Sequence, residues 1–229
     1  VPARLPRAIG PVTAGSIPVY LEVGSKRVFA SALDWLGWTR SGKDEKAALE
    51  ALAAYAPRYE PVAKIARLPF PAGANPLFKV VERVKGNATT DFGAPAIAAT
   101  ADTKKLSAAE AERVCSLLVA GWATFERMAA RAPAELRKGP RGGGRDRDKM
   151  IEHVLNAESA YAPKIGLKLG QPDIGDAEAI KAFRDAILSA VRESAGTGAP
   201  ETKWPPRYAA RRIAWHALDH AWEIEDRSD

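Results

Sequence analysis

From residue 107 to the end of the chain, apolar residues recur every three or four positions in four segments, each closed by glycine, proline or a polar turn. That period admits little besides long amphipathic helices packed on one another. Segment 107–132, SAAEAERVCSLLVAGWATFERMAARA, opens with Ser107 and, three residues on, Glu110, the pattern of a capping box. Val114, Leu117, Leu118, Trp122, Phe125 and Met128 mark its apolar stripe. A second segment runs from about Asp146 to Tyr161, with Ile151, Leu155 and Ala157 inward and Pro163 just past its end. The third, 176–198, has Asp176 near its start and Gly196 as a natural stop. The fourth begins near Pro206 and runs to about Arg227. Four such helices predict an antiparallel four-helix bundle over residues 100–229.

Residues 1–99 have a different character. PVYLEVG (18–24) and KRVFASAL (26–33) are strand-like runs around a Gly-Ser turn, a hairpin signal. DWLGWTRSGKD then reads as a turn-rich connection. In residues 44–59 Asp44 can cap a helix whose Ala48, Leu49, Leu52 and Tyr55 recur at helical spacing, with Pro57 and Pro61 ending it. VAKIARL (62–68) and LFKVVERVKG (77–86) are two further strand candidates. The expected class is α+β, a small ββαβ-type domain ahead of the bundle.

Composition excludes more than it selects. With 46% hydrophobic and 27% charged residues the chain is an ordinary globular one. No apolar run approaches the roughly 18 residues that a membrane-spanning helix needs, and the N-terminal stretch has no secretory apolar block. A single cysteine, Cys115, on the apolar face of its helix, excludes an internal disulfide and reads as a packing residue. A cytoplasmic protein is expected. The net charge of +6 is diffuse, weak grounds for a nucleic-acid partner, and whether the bundle forms a homodimer stays open.

Histidine is scarce, only three in 229 residues, yet two of them stand four apart in the last helix, His216 and His220. Residues at that spacing share a helix face and can chelate one ion. Ile213, Ala217 and Ile224 lie on the same face, which turns it inward, while Trp215, Leu218 and Trp222 form a second apolar stripe, so this helix is expected to be contacted on two sides. The third, His153, shares an inward face with Met150, Ala157 and Tyr161. Three imidazoles suit a divalent transition metal such as zinc, nickel or iron and leave positions for water or substrate. Isolated histidines at this spacing are often core-bonded instead, and that alternative stays open at the level of sequence.

IEHVLNAESAY and WHALDHAWEIE, in this order, resemble the DinB-like superfamily of four-helix bundles, which includes thiol-dependent enzymes. The resemblance covers about residues 100–229. It implies one ligand on the second helix and a pair on the fourth, hence His153, His216 and His220 around a divalent metal. Residues 15–85, through VFASALDWLGWTRSGKDEKAALEAL, resemble more weakly the HicB-like fold. Together these imply a metal-dependent enzyme, a thiol-dependent transferase or a hydrolase, acting on a small molecule such as a low-molecular-weight thiol. The competing expectation is a non-catalytic binding or stress-associated accessory protein with a structural or vestigial metal.

Neighbouring residues extend the candidate site. Tyr161, on the ligand face, and Glu158 are candidate catalytic groups; Glu152 and Asp219 adjoin ligands in sequence but point elsewhere. The loop RKGPRGGGRDRDK (137–149) carries six basic and two acidic residues. Its Arg141, Arg145 and Arg147 could hold a carboxylate or phosphate beside a helix N-terminus, or simply pair with Asp146 and Asp148 in solvent. Arg207, Arg211 and Arg212 open the last helix, where cations oppose the helix dipole, and so hint at an anion or an acidic surface. Arg141, Arg145 and Arg211 are the anion-binding candidates. Trp35, Trp38 and Trp204 are candidates to seal the two halves against each other.

Overall fold

The two predicted N-terminal strands form an antiparallel pair in the computed structural model, which describes residues 16–71, 76–139, 143–195 and 202–228. β1 (Ile17–Val23) and β2 (Val28–Ala32) pair from Val19 opposite Ala32 to Val23 opposite Val28. The segment read as a turn-rich connection contains a short strand, β3 (Thr39–Gly42), antiparallel to β2. β4 (Phe78–Lys85) adds in parallel to the other edge of β1, giving the order β3-β2-β1-β4.

Between β3 and β4 the chain is helical. α1 (Glu45–Ala54) is capped as expected, the Asp44 side chain accepting from the Ala47 N–H. α2 (Ala56–Ile65) corrects the strand expected at 62–68. Tyr59, Val62 and Ala63 are fully buried at the three-and-four spacing of a helix. Pro57 falls in the first turn, where a missing N–H costs nothing, and Pro61 is carried inside the helix instead of ending it. A short helix, α3 (Ala88–Phe92), and a 3-10 turn at Thr100–Thr103 lead into the second half.

The four predicted amphipathic segments are four helices, α4 (Ala108–Arg131), α5 (Arg147–Tyr161), α6 (Ala177–Glu193) and α7 (Pro206–Arg227). The Ser107–Glu110 capping box forms, and hydrogen bonds from Ser107 and Arg207 hold the Glu110 carboxyl down at about 2. Cys115 is buried, its thiol pushed up to about 11. Among the described residues, no helix is long and apolar enough to cross a membrane. The stop assigned to Gly196 lies outside the described residues.

One continuous hydrophobic core runs from the sheet into the helices. All of β2 is buried: α1 packs on the sheet from one side, and Arg211 and Trp215 of α7 stand against Tyr20 and Phe29. On the α7 side, Phe29 meets the Trp215 ring edge-on at 6.2 Å and the Arg211 guanidinium lies over Tyr20. The turn at Gly37 has φ +85, and a Cβ there would stand 2.6 Å from Leu218 and 2.9 Å from the Ala214 carbonyl, so only glycine lets the turn reach α7. Of the three tryptophans expected to seal the halves, Trp35 does so through Arg113 of α4, at 4.7 Å. Trp38 stacks inside the first half on Tyr59, and Trp204 packs on Tyr161 and Tyr208. Phe29–Trp215 and Tyr55–Trp222 add ring contacts between the halves.

Arg211, expected to bind an external anion, is a structural residue. It is 3% exposed and donates to Asp102, at 2.7 Å from its terminal nitrogen, and to the carbonyls of Ala32 and Leu33. Its donors are committed to protein acceptors, so it fastens α7 to the end of β2 and leaves nothing for a ligand. Arg211→Met is expected to destabilise the protein by about 3–5 kcal/mol, because it strands the buried Asp102 carboxylate. The double variant with Asp102→Leu should recover most of that loss in denaturant titrations.

Candidate metal centre

His216 and His220 project from one face of α7, and His153 from α5 faces them. Ring centroids stand 4.6 Å apart for His216 and His220, and 4.9 Å from His153 to each. One nitrogen from each ring lies within 4.8 Å of the other two. Ligands of a tetrahedral ion sit about 3.3 Å apart, given bond lengths near 2.0–2.1 Å, so small side-chain rotations close the set. His216 is 7% exposed, whereas His153 and His220 are partly open, so the cluster has one deep wall and an accessible rim.

The rings are not tied up by ordinary core hydrogen bonds. His216 Nδ1 is buried and has no partner. Burial, followed by the neighbouring His220 and His153 and by Arg212 and Arg145, holds the His216 pKa well below its usual value. Burial, His220 and Arg145 bring His153 down to about 4. Both are therefore neutral near pH 7, the form in which imidazole offers a lone pair. His220 Nδ1 lies 2.8 Å from Glu223 Oε2; a proton on that nitrogen donates to the carboxylate and leaves the lone pair on Nε2. Burial resists ionisation of Glu223, but hydrogen bonds from His220 and Arg227 overcome it and keep the carboxyl below its usual value. Glu223 was missed from sequence, although its position three residues after His220 on the same helix was a legible signal.

Tyr161 is where its sequence position implied, its ring 6.3 Å from that of His216. Burial raises its pKa, so the hydroxyl stays protonated. Glu158 does not join the site. It is 1% exposed and accepts from Trp122 Nε1 at 2.8 Å and Arg184 Nε at 3.2 Å, on the far side of α5 from His153. Burial pushes its carboxyl up against those two donors. Its role is to neutralise the buried Arg184 between α4, α5 and α6, as Glu126 also does from the surface.

Among the basic candidates, Arg145 is exposed yet near enough to oppose protonation of both His153 and His216. Arg141 lies outside the described residues. Arg147 pairs with Asp148, and Lys138 with Asp146, the solvated pairing foreseen for that loop. Glu152 pairs with Lys149, and Asp219 with Arg40.

Two outcomes follow from this geometry. His153 and His216 have folded-state pKa values below 6.5, so between pH 6.5 and about 4 the unfolded chain binds more protons. Stability of the metal-free protein should therefore fall as pH drops through that window, and His153→Gln should flatten the profile measured by urea melts. Glu223→Gln should weaken divalent-ion affinity by roughly 10–100-fold in chelator competition while the melting temperature of the metal-free protein changes little. Comparison with known proteins adds no relative to set beside this site: no family model, curated protein or solved structure matches the chain.

Proposed function

We propose that the chain is a DinB-like four-helix-bundle protein with a HicB-like N-terminal part, and that it is a metal-dependent enzyme, a thiol-dependent transferase or a hydrolase. The observation that carries this is the convergence of three imidazole nitrogens from two helices within 4.8 Å, beside a buried His216 Nδ1 that has no partner. A closed core would have given those nitrogens protein acceptors or donors. The order of elements supports the family assignment, with one histidine on the second long helix and an i,i+4 pair on the fourth.

His153, His216 and His220 would hold a divalent zinc, nickel or iron ion, with Glu223 orienting His220. Such an ion supplies Lewis acidity, which lowers the pKa of a coordinated water or thiol toward neutrality. The chain's own contributions are positional. Three neutral ligands leave the ion's charge undiminished, Tyr161 offers a protonated hydroxyl at the rim, and the deep wall at His216 excludes water. A small molecule, a low-molecular-weight thiol first among candidates, fits an open coordination position.

Protein prepared without a histidine tag should hold one equivalent of divalent ion by elemental analysis. His153→Ala and His216→Ala should lose it while remaining folded by circular dichroism. A folded wild-type chain that takes up no zinc, nickel or iron(II) under any loading condition defeats the proposal. A screen with small thiols should then find turnover that His216→Ala lacks.

A further inference from the structure

Three arginines open α7, and two of them are accounted for. Arg207 pairs with Glu110, and Arg211 with Asp102. Arg212 differs. It is 8% exposed, its terminal nitrogen NH1 is buried without a partner, and no carboxylate among the described residues pairs with it. Its guanidinium lies over the Trp215 ring at 4.6 Å and near the Tyr161 ring at 5.5 Å. Ring faces hold a cation in place but give no acceptor to its N–H groups. A buried guanidinium without an anion is costly, and proteins keep one where a ligand supplies the missing acceptor.

The direction it serves follows from its surroundings. Arg212, His216 and His220 stand four apart on α7, in one row along a helix face. Tyr161 links the two, its ring 5.5 Å from the Arg212 guanidinium and 6.3 Å from the His216 ring. On the sheet side, the space beside Arg212, Tyr208 and Trp215 is only about 10 Å³, at most one water molecule. On the other side stands Tyr161, partly exposed beside Trp204 and near the His216 ring, which puts the approach for an anion next to the histidines. Exposed Arg145, two residues before α5 begins, adds positive charge on the α5 side. The Glu223 carboxylate beside the histidines is already shared by His220 and Arg227.

On the metal-centre reading of these histidines, we infer that Arg212 is the anchor for a carboxylate on the substrate, which places a short carboxylate-bearing molecule with its donor atom toward His153, His216 and His220. A planar guanidinium held against ring faces presents its edge, and a carboxylate matches that edge with two parallel hydrogen bonds. Arg212 binds and orients; it takes no part in proton transfer.

The full-length protein loaded with cobalt(II) is titrated with 4-mercaptobutyrate and with its neutral amide, following the thiolate-to-cobalt absorption. The acid should bind roughly tenfold or more tightly than the amide, the difference expected of a charged hydrogen-bond pair. Arg212→Gln should erase that preference while leaving the amide's affinity and the cobalt stoichiometry unchanged. Equal binding of acid and amide by the wild type, a preference that survives Arg212→Gln, or one abolished by Arg145→Gln alone, overturns the assignment. Should the glutamine variant not fold, Arg212→Lys keeps the cation against the rings and is expected to lose most of the preference; retention of all of it overturns the two-bond anchor. If no cobalt is held, the metal reading fails separately, and the anchor is tested on the metal-free protein. There glutarate should raise the melting temperature of wild type but not of Arg212→Gln, and no rise in wild type, or a larger one with inorganic phosphate, overturns a carboxylate site.

Discussion

Every residue of α7 from Tyr208 to Leu218 is buried, and this single condition shapes the rest of the molecule. A helix enclosed for three turns presents each of its faces to protein, so any polar side chain on it must find a partner or bear the full cost of desolvation. The sequence nevertheless places Arg211, Arg212 and His216 in that stretch. What surrounds α7 is therefore arranged as much by those three residues as by its apolar ones. The sheet side supplies Asp102 and two carbonyls at the end of β2 for Arg211. The α5 side supplies His153 opposite His216, and the aromatic side supplies Trp215 and Tyr161 for Arg212.

The contrast between Arg211 and Glu158 on one hand and the histidines on the other separates structure from candidate chemistry. Asp102 and two carbonyls answer Arg211, and Glu158 with Glu126 answers Arg184, so that each guanidinium nitrogen donates to a protein acceptor. These are closed arrangements of the sort that specify how layers meet, at a modest net gain in stability. The histidine cluster is open by the same standard. Glu223 satisfies one nitrogen of His220, while one nitrogen from each of the three rings lies within 4.8 Å of the others and His216 Nδ1 has no partner.

Much of this was legible in the sequence, because helical periodicity and capping are local. The Ser107–Glu110 box, the ends of α4, α5 and α7, and the shared face of His216 and His220 follow from spacing along single helices, whereas the meeting of His153 with that pair was expected from the family resemblance. The misreadings share one cause. VAKIARL carries β-branched residues, yet its fate was decided by Tyr59 one turn earlier, whose burial continues the helical stripe through Val62 and Ala63. Glu158 was placed near the site by proximity in sequence, but five residues along a helix is a rotation of about 140° from His153, which turns it toward α4 and α6. Neighbouring Arg211 and Arg212 differ by about 100° of the same rotation, and only the position of the sheet decides which one meets Asp102.

That last distinction bears on what the centre can accept. Arg211, turned to the sheet, is neutralised internally. Arg212, set between Tyr161 and Trp215, is left with two aromatic faces and no counter-charge among the described residues. Adding a divalent ion to three neutral imidazoles beside this guanidinium and Arg145 would make the region more positive still, and the carboxylate of Glu223 is already engaged. In a partly enclosed site, with dielectric well below that of water, such an imbalance favours an anionic visitor over a neutral one of the same shape. The charge left over once the internal pairs are closed is thus itself a description of the ligand.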